Sequence, residues 1–366
     1  MKVLGTVAAM AVILAAAGCG GDDSAAAGSG SGGGDGGVLN VADHAALVAQ
    51  AEKEGSLTVS TSFTEDSIPL IKKGFEAKYP NIKLNITEQT GDDDKRILLE
   101  VQSGQSDIDV MHLSAESYKD YLPYVAKVDL LKMSNDKVLD IPKEMINEQQ
   151  PGTMAAGSGI GGVAWNPKVL PENMVPQSWD DLLKPEYQGR KFMVDIEPAN
   201  LAVLGAAWGE DKLLDYASKI KDQKPIWVRG DTNSLTLMAA GEFGLHAFSN
   251  YHSAYRVTKK SDNIKIGLLE PIPVRLTQFQ AIRDGAKHPA AAALFIEYTA
   301  TAEAQKVLDD DEPMQSSIYA PGSKLNELTK GKQTSVMGWK DFENQPKWES
   351  DIVKKWGFPS AEVKSK

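Results

Sequence analysis

Short apolar runs alternate with helical patterns along this chain, and this alternation restricts the fold more than any other feature of the sequence. Runs typical of β-strands occupy residues 57–62, 82–87 and 108–113, and helical patterns at 68–79 and 92–103 separate them. Strands that alternate with helices form βαβ units around a parallel sheet. The sequence therefore predicts an α/β protein, and 366 residues suit about two domains.

The stretch 225–255 repeats this alternation and adds polar residues where its strands end. An apolar run at 225–228 stops at a polar loop, a helix is predicted over 235–240, and a strand over 243–248 stops at the polar residues 249–252. In open α/β sheets a ligand binds beyond the carboxyl ends of the strands, and the free N–H groups at a helix start favour an anion. The candidate ligand-binding residues of this stretch are Arg229, Asp231, Thr232, Asn233, Tyr251 and His252.

Three of these residues have an alternative, purely structural role. Asp231 or Thr232 caps the helix that follows, and one loop can both cap a helix and contact a ligand. Arg229 suits a carboxylate or phosphate, which a guanidinium binds through two hydrogen bonds. Arg229 alternatively pairs with Asp231 or with a surface acid.

Polar residues also follow two strands in the first half of the chain. Thr61 and Ser62 end one run, and Ser114 and Glu116 follow another. Hydroxyl groups at such positions donate to polar ligands, although serines are also common in ordinary loops. Trp165 is a further candidate, because its ring either stacks on a ligand or fills an interface between domains. His112 lies inside an apolar run and is expected to be a core residue rather than a metal ligand.

Two local motifs help to organise the middle of the chain. The glycines at 157–162 match GxGxxG, but an apolar strand follows them and not the helix that a dinucleotide site requires. We interpret them as a crossover between two domains. Ser178 and Asp181 have the spacing of a capping box that opens a short helix. Further along, a strand at 264–268 and helices at 289–299, 302–308 and part of 339–356 are predicted.

The N-terminus is typical of an exported protein. Residues 1–18 contain one lysine and an apolar run too short to span a bilayer, as in a removable leader. Small residues lead directly into Cys19, the only cysteine, which resembles the lipobox of bacterial lipoproteins; the alternative is an ordinary leader with an incidental cysteine. We therefore predict that residues 19–39 consist of a lipidated cysteine and a flexible Gly/Ser-rich tether. A net charge of −11 disfavours nucleic acid as a partner.

Several segments together resemble the bacterial extracellular solute-binding proteins, most closely the iron(III)-type branch. They read LVAQAEKEGSLTVSTSF, FEAKYPNIKLNI, SDIDVMHLSAESYKDYL, GIGGVAWNPKVLPENMVPQSWDDLLKPEYQGRKFMV and GAKHPAAAALFIEYTATAEAQKVL. The resemblance covers roughly residues 42–319. It implies a two-lobed periplasmic-binding-protein fold of type II, in which each lobe is a mixed sheet flanked by helices and a hinge connects the lobes.

The resemblance also implies an organisation and a role. We expect one lobe at 40–157 plus about 269–312, and a second at 158–268 plus about 313–366. The expected protein is a monomer without a cofactor that is lipid-anchored, faces the periplasm or the cell exterior, and delivers a small solute to an ABC permease. Members of the iron(III)-type branch hold ferric ion with tyrosine phenolates, often from an adjacent pair. This chain has Tyr251 and Tyr255 instead, with His252 beside the first.

The ligand expected from these residues is a small anionic organic solute or an oxyanion, because Arg229 so close to the cluster would repel a cation. Iron(III) is the alternative. A secreted enzyme on a similar scaffold is a second class of function, but the sequence contains no nucleophile elbow, HExxH or P-loop. A binding protein that serves a chemoreceptor is a third, which the sequence does not separate from the first.

Overall fold

The computed structural model describes residues 39–115, 117–310 and 314–358. The predicted leader, Cys19, the tether and Glu116 therefore lie outside the described residues. The strands are β1 Ser56–Thr61, β2 Lys83–Glu88, β3 Val110–Leu113, β4 Thr153–Trp165, β5 Met193–Asp195, β6 Ile226–Val228, β7 Leu245–Asn250, β8 Lys265–Gly267, β9 Ile272–Ile282 and β10 Thr334–Met337.

Helices follow most of these strands, as the alternating pattern predicts. They are α1 His44–Glu54, α2 Ile68–Lys78, α3 Asp94–Gln102, α4 Tyr118–Tyr121, α5 Leu130–Asn135, α6 Ala199–Val203, α7 Gly205–Trp208, α8 Glu210–Asp222, α9 Asp231–Ala239, α10 Tyr251–Thr258, α11 Pro289–Thr299, α12 Ala302–Asp310, α13 Lys324–Thr329 and α14 Asn344–Trp356. The fold is thus α/β.

The strands form a mixed sheet in the order β2-β1-β3-β9-β4-β7-β5-β6, with β10 added to β9 and β8 to β4. β1, β2 and β3 are parallel to one another and form the first half-sheet. β5, β6 and β7 are also parallel and form the second half-sheet. The two long antiparallel strands β4 and β9 lie between the halves and connect them.

The glycines of β4 mark where this strand passes from one half to the other. β4 pairs with β9 up to Ile160 and with β7 from Gly161 onward. A methyl group at Gly162 would lie 2.4 Å from the carbonyl oxygen of Gly267, so only glycine allows this close approach of the backbones. The glycines therefore serve a crossover, as the sequence predicts, and not a dinucleotide site.

Each half-sheet has its own apolar core. Helices α1, α2 and α11 bury Leu47, Phe75 and Phe295 against the first half-sheet. α8 and α14 bury Leu213 and Trp356 against the second. The C-terminal segment thus adds α14 to the second core, and its strand β10 pairs in parallel with β9.

The structure corrects two expectations in the stretch 225–255. The helix predicted over 235–240 begins at Asp231, so Asp231 to Asn233 belong to its first turn and not to a loop. The predicted polar cluster at 249–252 is not a loop either, because Ser249 and Asn250 end β7 and Tyr251 starts α10. The long strand β9 was not predicted.

Candidate functional site

The carboxyl ends of β3, in the first half-sheet, and of β10 face each other along one side of β9. β3 pairs with β9 at residues 279–282, and β10 pairs with it at 272–275, both on the side of β9 that faces away from β4. The carboxyl ends of β3 and β10 therefore approach each other, and residues 276–278 of β9 lie between them. Since ligands of α/β proteins bind beyond the carboxyl ends of strands, this gap is the candidate site.

Asp231, at the start of α9, is tied to the end of β7. Its carboxylate accepts hydrogen bonds from Ser249 Oγ at 3.0 Å and from the Asn250 backbone N–H at 3.2 Å. The fully buried ring of His246 lies on its other side, with Nδ1 3.2 Å from Oδ1. The helix cap itself is Gly230, which has no side chain to cap with. Asp231 therefore joins α9 to β7 instead of capping its own helix.

Arg275 of β9 reaches the same strand end from the centre of the sheet. Its Nη2 donates to Oδ1 of Asn250 over 2.8 Å, and this oxygen also accepts from Nδ2 of Asn200 at 3.0 Å. Arg275 has no carboxylate within ion-pair distance among the described residues. Its Nε is buried without a partner there. A guanidinium with an unused donor thus lies between the two half-sheets.

His252, in the first turn of α10, is affected by the charges of Arg275 and Asp231. Burial, together with the positive charges of Arg256 and Arg275 and against the opposing effect of Asp231, lowers the pKa of its imidazole to about 4. The ring is therefore neutral at neutral pH. Its Nδ1 is buried and has no partner in the described part of the chain.

The polar residues at the end of the first half-sheet form a separate network around Asp94. Its carboxylate accepts from Gln89 Nε2 at 2.9 Å and from Ser114 Oγ at 3.2 Å. Ser62 donates instead to the side-chain oxygen of Gln278 in β9. Thr61 is 1% exposed, so its hydroxyl is closed to solvent. Of the residues predicted in this half, Ser62 approaches the gap in β9 most directly.

A cavity of about 480 Å³ opens beside the gap. The loop and helix that follow β3 line one wall and the segment that follows β10 lines the other, with the residues Ala115, Tyr118, Lys119 and Asp120 facing Phe342, Glu343, Gln345, Pro346 and Glu349. Arg275 pairs with Met337 at the carboxyl end of β10, the strand that leads into the second wall, and Glu349 of that wall acts on Arg275 electrostatically. The volume of the cavity lies within the range of small-molecule sites.

Four aromatic side chains, here called the aromatic wall, form one contact cluster that includes two residues of the cavity lining. Tyr118 follows β3 and Phe279 lies in β9, whereas Trp339 and Phe342 follow β10. The ring centroids of the pairs in contact lie 5.2 to 6.4 Å apart. Tyr118 and Phe342 line the cavity directly. Trp339 buries its Nε1 donor without a partner among the residues described. The cavity therefore has an apolar face.

Several predicted residues lie elsewhere. Arg229 is 70% exposed and pairs with Glu197 at 3.1 Å, which is the surface pairing considered above. Thr232 and Asn233 are exposed on α9. Trp165 pairs with Leu245 at the start of β7, five residues from its end, and packs into the second core. These side chains do not join the group around Asn250.

Tyr251 and Tyr255 pack together on the first turns of α10 against an apolar cluster that includes Val274 and Ile318. Burial, followed by the neighbouring Tyr255, raises the pKa of the Tyr251 phenol. Both effects favour the neutral phenol over the phenolate that a ferric ion requires.

Sequence reasoning missed Arg275, Asn200 and the aromatic wall. The sequence signal for Arg275 was a charged residue between valine and leucine in the apolar run 272–282. In the structure this run is a strand whose regular backbone is interrupted at Gln278, which has a positive φ of 58°. Asn200 lies in a short helix that no sequence pattern indicated.

Within the described ranges, no three His, Cys, Asp or Glu side chains are grouped as ligands of a metal ion. The described helices also include none with the length and apolarity needed to cross a membrane.

The fold is similar to those of solved ferric-binding proteins. Iron-bound HitA from Pseudomonas aeruginosa matches 81% of this chain and 99% of its own at 19% identity, with a TM-score of 0.57. The Bordetella ferric binding protein matches 83% and 99% at 16% identity, with a TM-score of 0.66. IdiA (FutA) of Trichodesmium, solved with iron and citrate, matches 83% and 98% at 16% identity, with a TM-score of 0.62. At these identities the likeness concerns the fold, and it confirms the predicted periplasmic-binding-protein fold.

Comparison with curated protein sequences finds no match. The profile described as "Bacterial extracellular solute-binding protein" matches residues 71–313, which is more than half of the chain. The protein therefore belongs to the bacterial extracellular solute-binding proteins.

Proposed function

We propose that this protein is the solute-binding lipoprotein of an ABC importer, which captures a small anionic solute between its two half-sheets and delivers it to a membrane permease. The observation that supports this most strongly is the gap at residues 276–278 of β9, where the carboxyl ends of β3 and β10 approach each other and the segments that follow them line one cavity. β4 and β9 connect the halves and would serve as the hinge on which they close. The lobe boundaries given above remain part of this proposal.

The family acts outside the cytoplasm, and its members are binding proteins and not enzymes. We accordingly expect no turnover of the solute. We also propose that a lipid on Cys19 anchors the protein, that residues 19–39 form a flexible tether, and that the protein is a monomer.

Iron(III) is the second candidate solute. It is favoured by the fold shared with iron-bound HitA and by the pair Tyr251 and Tyr255. Against it, Arg275 adds a positive charge near His252, and burial of Tyr251 favours the protonated phenol. These two effects support the anionic solute.

A thermal-shift screen tests the proposal. Ferric ion, phosphate, phosphonates and small mono- and dicarboxylates are added separately to the full chain, and the melting temperature is recorded. We expect an anion to raise the melting temperature with a dose dependence that follows RT ln(1 + [L]/Kd). Stabilisation by ferric ion alone would favour the second candidate, and the absence of any stabilising solute would contradict the proposal.

A further inference from the structure

The positive charge of Arg275 is left unmatched by the protein around it. Glu349 and Asp231 act on it electrostatically, and none of the ion pairs in the described part of the chain includes Arg275. Asp231 is already bound to Ser249 and Asn250. A half-buried cation without a paired anion is unfavourable unless a ligand supplies the anion.

Free hydrogen-bonding groups lie along the same strand. Nε of Arg275 and Oγ1 of Thr277, two residues further on the same face of β9, are both buried without partners in the described part of the chain. The facing strand carries Gly159, and a methyl group there would lie 3.6 Å from Nη2 of Arg275. Gly159 therefore places no side chain against the guanidinium. Two donors in such a position suit the two oxygens of a carboxylate.

The aromatic wall lies further along β9. Phe279 follows Arg275 by four residues and contacts both Trp339 and Phe342, with centroids 5.3 Å and 5.2 Å from its own. The cavity lined by Tyr118 and Phe342 is about 480 Å³, far more than a bare oxyanion fills. An apolar wall of this kind stabilises a flat or apolar ligand body by burial and by ring contacts.

We propose that Arg275 is the residue that binds the anionic group of the solute, and that the solute is an aromatic monocarboxylate whose ring packs on the aromatic wall. This inference rests on the proposed function and specifies its ligand class. Arg229, the candidate suggested by the sequence, has no part in it because its guanidinium is exposed and paired with Glu197.

The test uses isothermal titration of the full chain with matched probes. Benzoate and phenylacetate carry both the ring and the carboxylate, benzamide carries the ring without charge, and acetate and inorganic phosphate carry charge without the ring. We expect the aromatic carboxylates to bind at least about 10-fold more tightly than benzamide, since a hydrogen bond to a charged group contributes that much or more. We expect a similar difference from acetate and phosphate, since these lack the ring whose burial stabilises the complex.

Two variants connect the binding to Arg275. Arg275→Gln keeps a donor for Asn250 but removes the charge, and we expect benzoate affinity to fall by about 10- to 100-fold. Arg275→Lys keeps the charge without the two-donor geometry, and an intermediate loss is expected. Arg96→Gln removes an arginine of a surface ion pair on α3 and is the matched control, with unchanged affinity expected. Melting temperatures of all variants, without probe, show that each is folded.

The outcomes separate this inference from the proposed function. Equal binding of benzamide and benzoate, full affinity in Arg275→Gln, or no binding of aromatic carboxylates would overturn the inference. In each of these cases, stabilisation by phosphate or another solute in the wider screen would leave the solute-binding function intact. Failure of every solute in that screen would remove both.

Discussion

Arg275 and Asn250 join the centre of the sheet to the end of β7: Nη2 of the arginine donates to Oδ1 of the asparagine over 2.8 Å. An amide in this position orients the guanidinium without neutralising it. A carboxylate would have formed a closed ion pair instead. The neutral partner therefore leaves the charge of Arg275 available to a solute that enters between the half-sheets.

Asn250→Asp should block the site from within. The new carboxylate would pair with Arg275 and repel an incoming anion, so benzoate affinity should fall by about 10-fold or more, while the melting temperature stays the same or rises. Isothermal titration and thermal denaturation measure the two effects. Asn85→Asp on the exposed side of β2 adds the same charge far from the site and should change neither. Unchanged affinity in Asn250→Asp would show that the anion does not bind beside Arg275.

Gly162→Ala should destabilise the crossover in β4. The added methyl group would lie 2.4 Å from the Gly267 carbonyl oxygen, and relief requires a shift of the β8 backbone. We expect the free energy of unfolding to fall by about 1–3 kcal/mol. Gly159→Ala, whose methyl group has its nearest neighbour at 3.6 Å, is the control and should cost less than about 1 kcal/mol. Urea denaturation compares them, and equal losses would contradict the register of β4 against β8.

His112 should make the protein less stable in mild acid. Burial lowers the pKa of its imidazole from 6.5 to about 4, although its hydrogen bond with the Phe279 carbonyl oxygen opposes the shift. The unfolded chain therefore binds this proton first, so stability is lost as the pH falls from 6.5 towards 4.

His112→Gln should reduce this loss. Urea denaturation of wild type and variant at neutral pH and near pH 4.5 gives the comparison, and between pH 7 and 8 the two proteins should show the same pH dependence. An identical loss in acid for both proteins would mean that His112 does not contribute to it.

The helices and strands that depend on local patterns were predictable. The helix predicted over 289–299 has the bounds of α11, where Pro289 occupies the first turn and the apolar residues are continuous. The capping box of Ser178 and Asp181 is confirmed, with both reciprocal hydrogen bonds formed. Such features depend on residues within one turn of each other, and their signals are contained in a few positions.

The candidate site depended on contacts that the sequence does not display. β9 pairs with β4 across more than a hundred residues, and its polar residues interrupt the apolar pattern by which a buried strand is recognised. Arg229 follows a strand as expected, but that strand is at the edge of the sheet and Glu197 is next to it. The choice between two arginines was decided by strand order, which is a long-range property.

Cys19→Ser should release the protein from the membrane. The sequence places this cysteine directly after small residues at the end of an apolar leader, as in lipoproteins. We expect the wild type in the membrane fraction of expressing bacteria and the variant in the soluble fraction, as immunoblots of separated fractions would show. A single acyl chain binds membranes only marginally, so firm attachment would also indicate more than one chain. Equal distribution of the two proteins would exclude a lipid on Cys19.

The most direct test of capture without conversion is a titration of the full chain with benzoate, followed by recovery of the solute. We expect one benzoate bound per chain by calorimetry, and an NMR spectrum of the released compound identical to that of the starting material. Absence of binding by benzoate and by every other solute of the screen, or a changed spectrum after incubation, would contradict it.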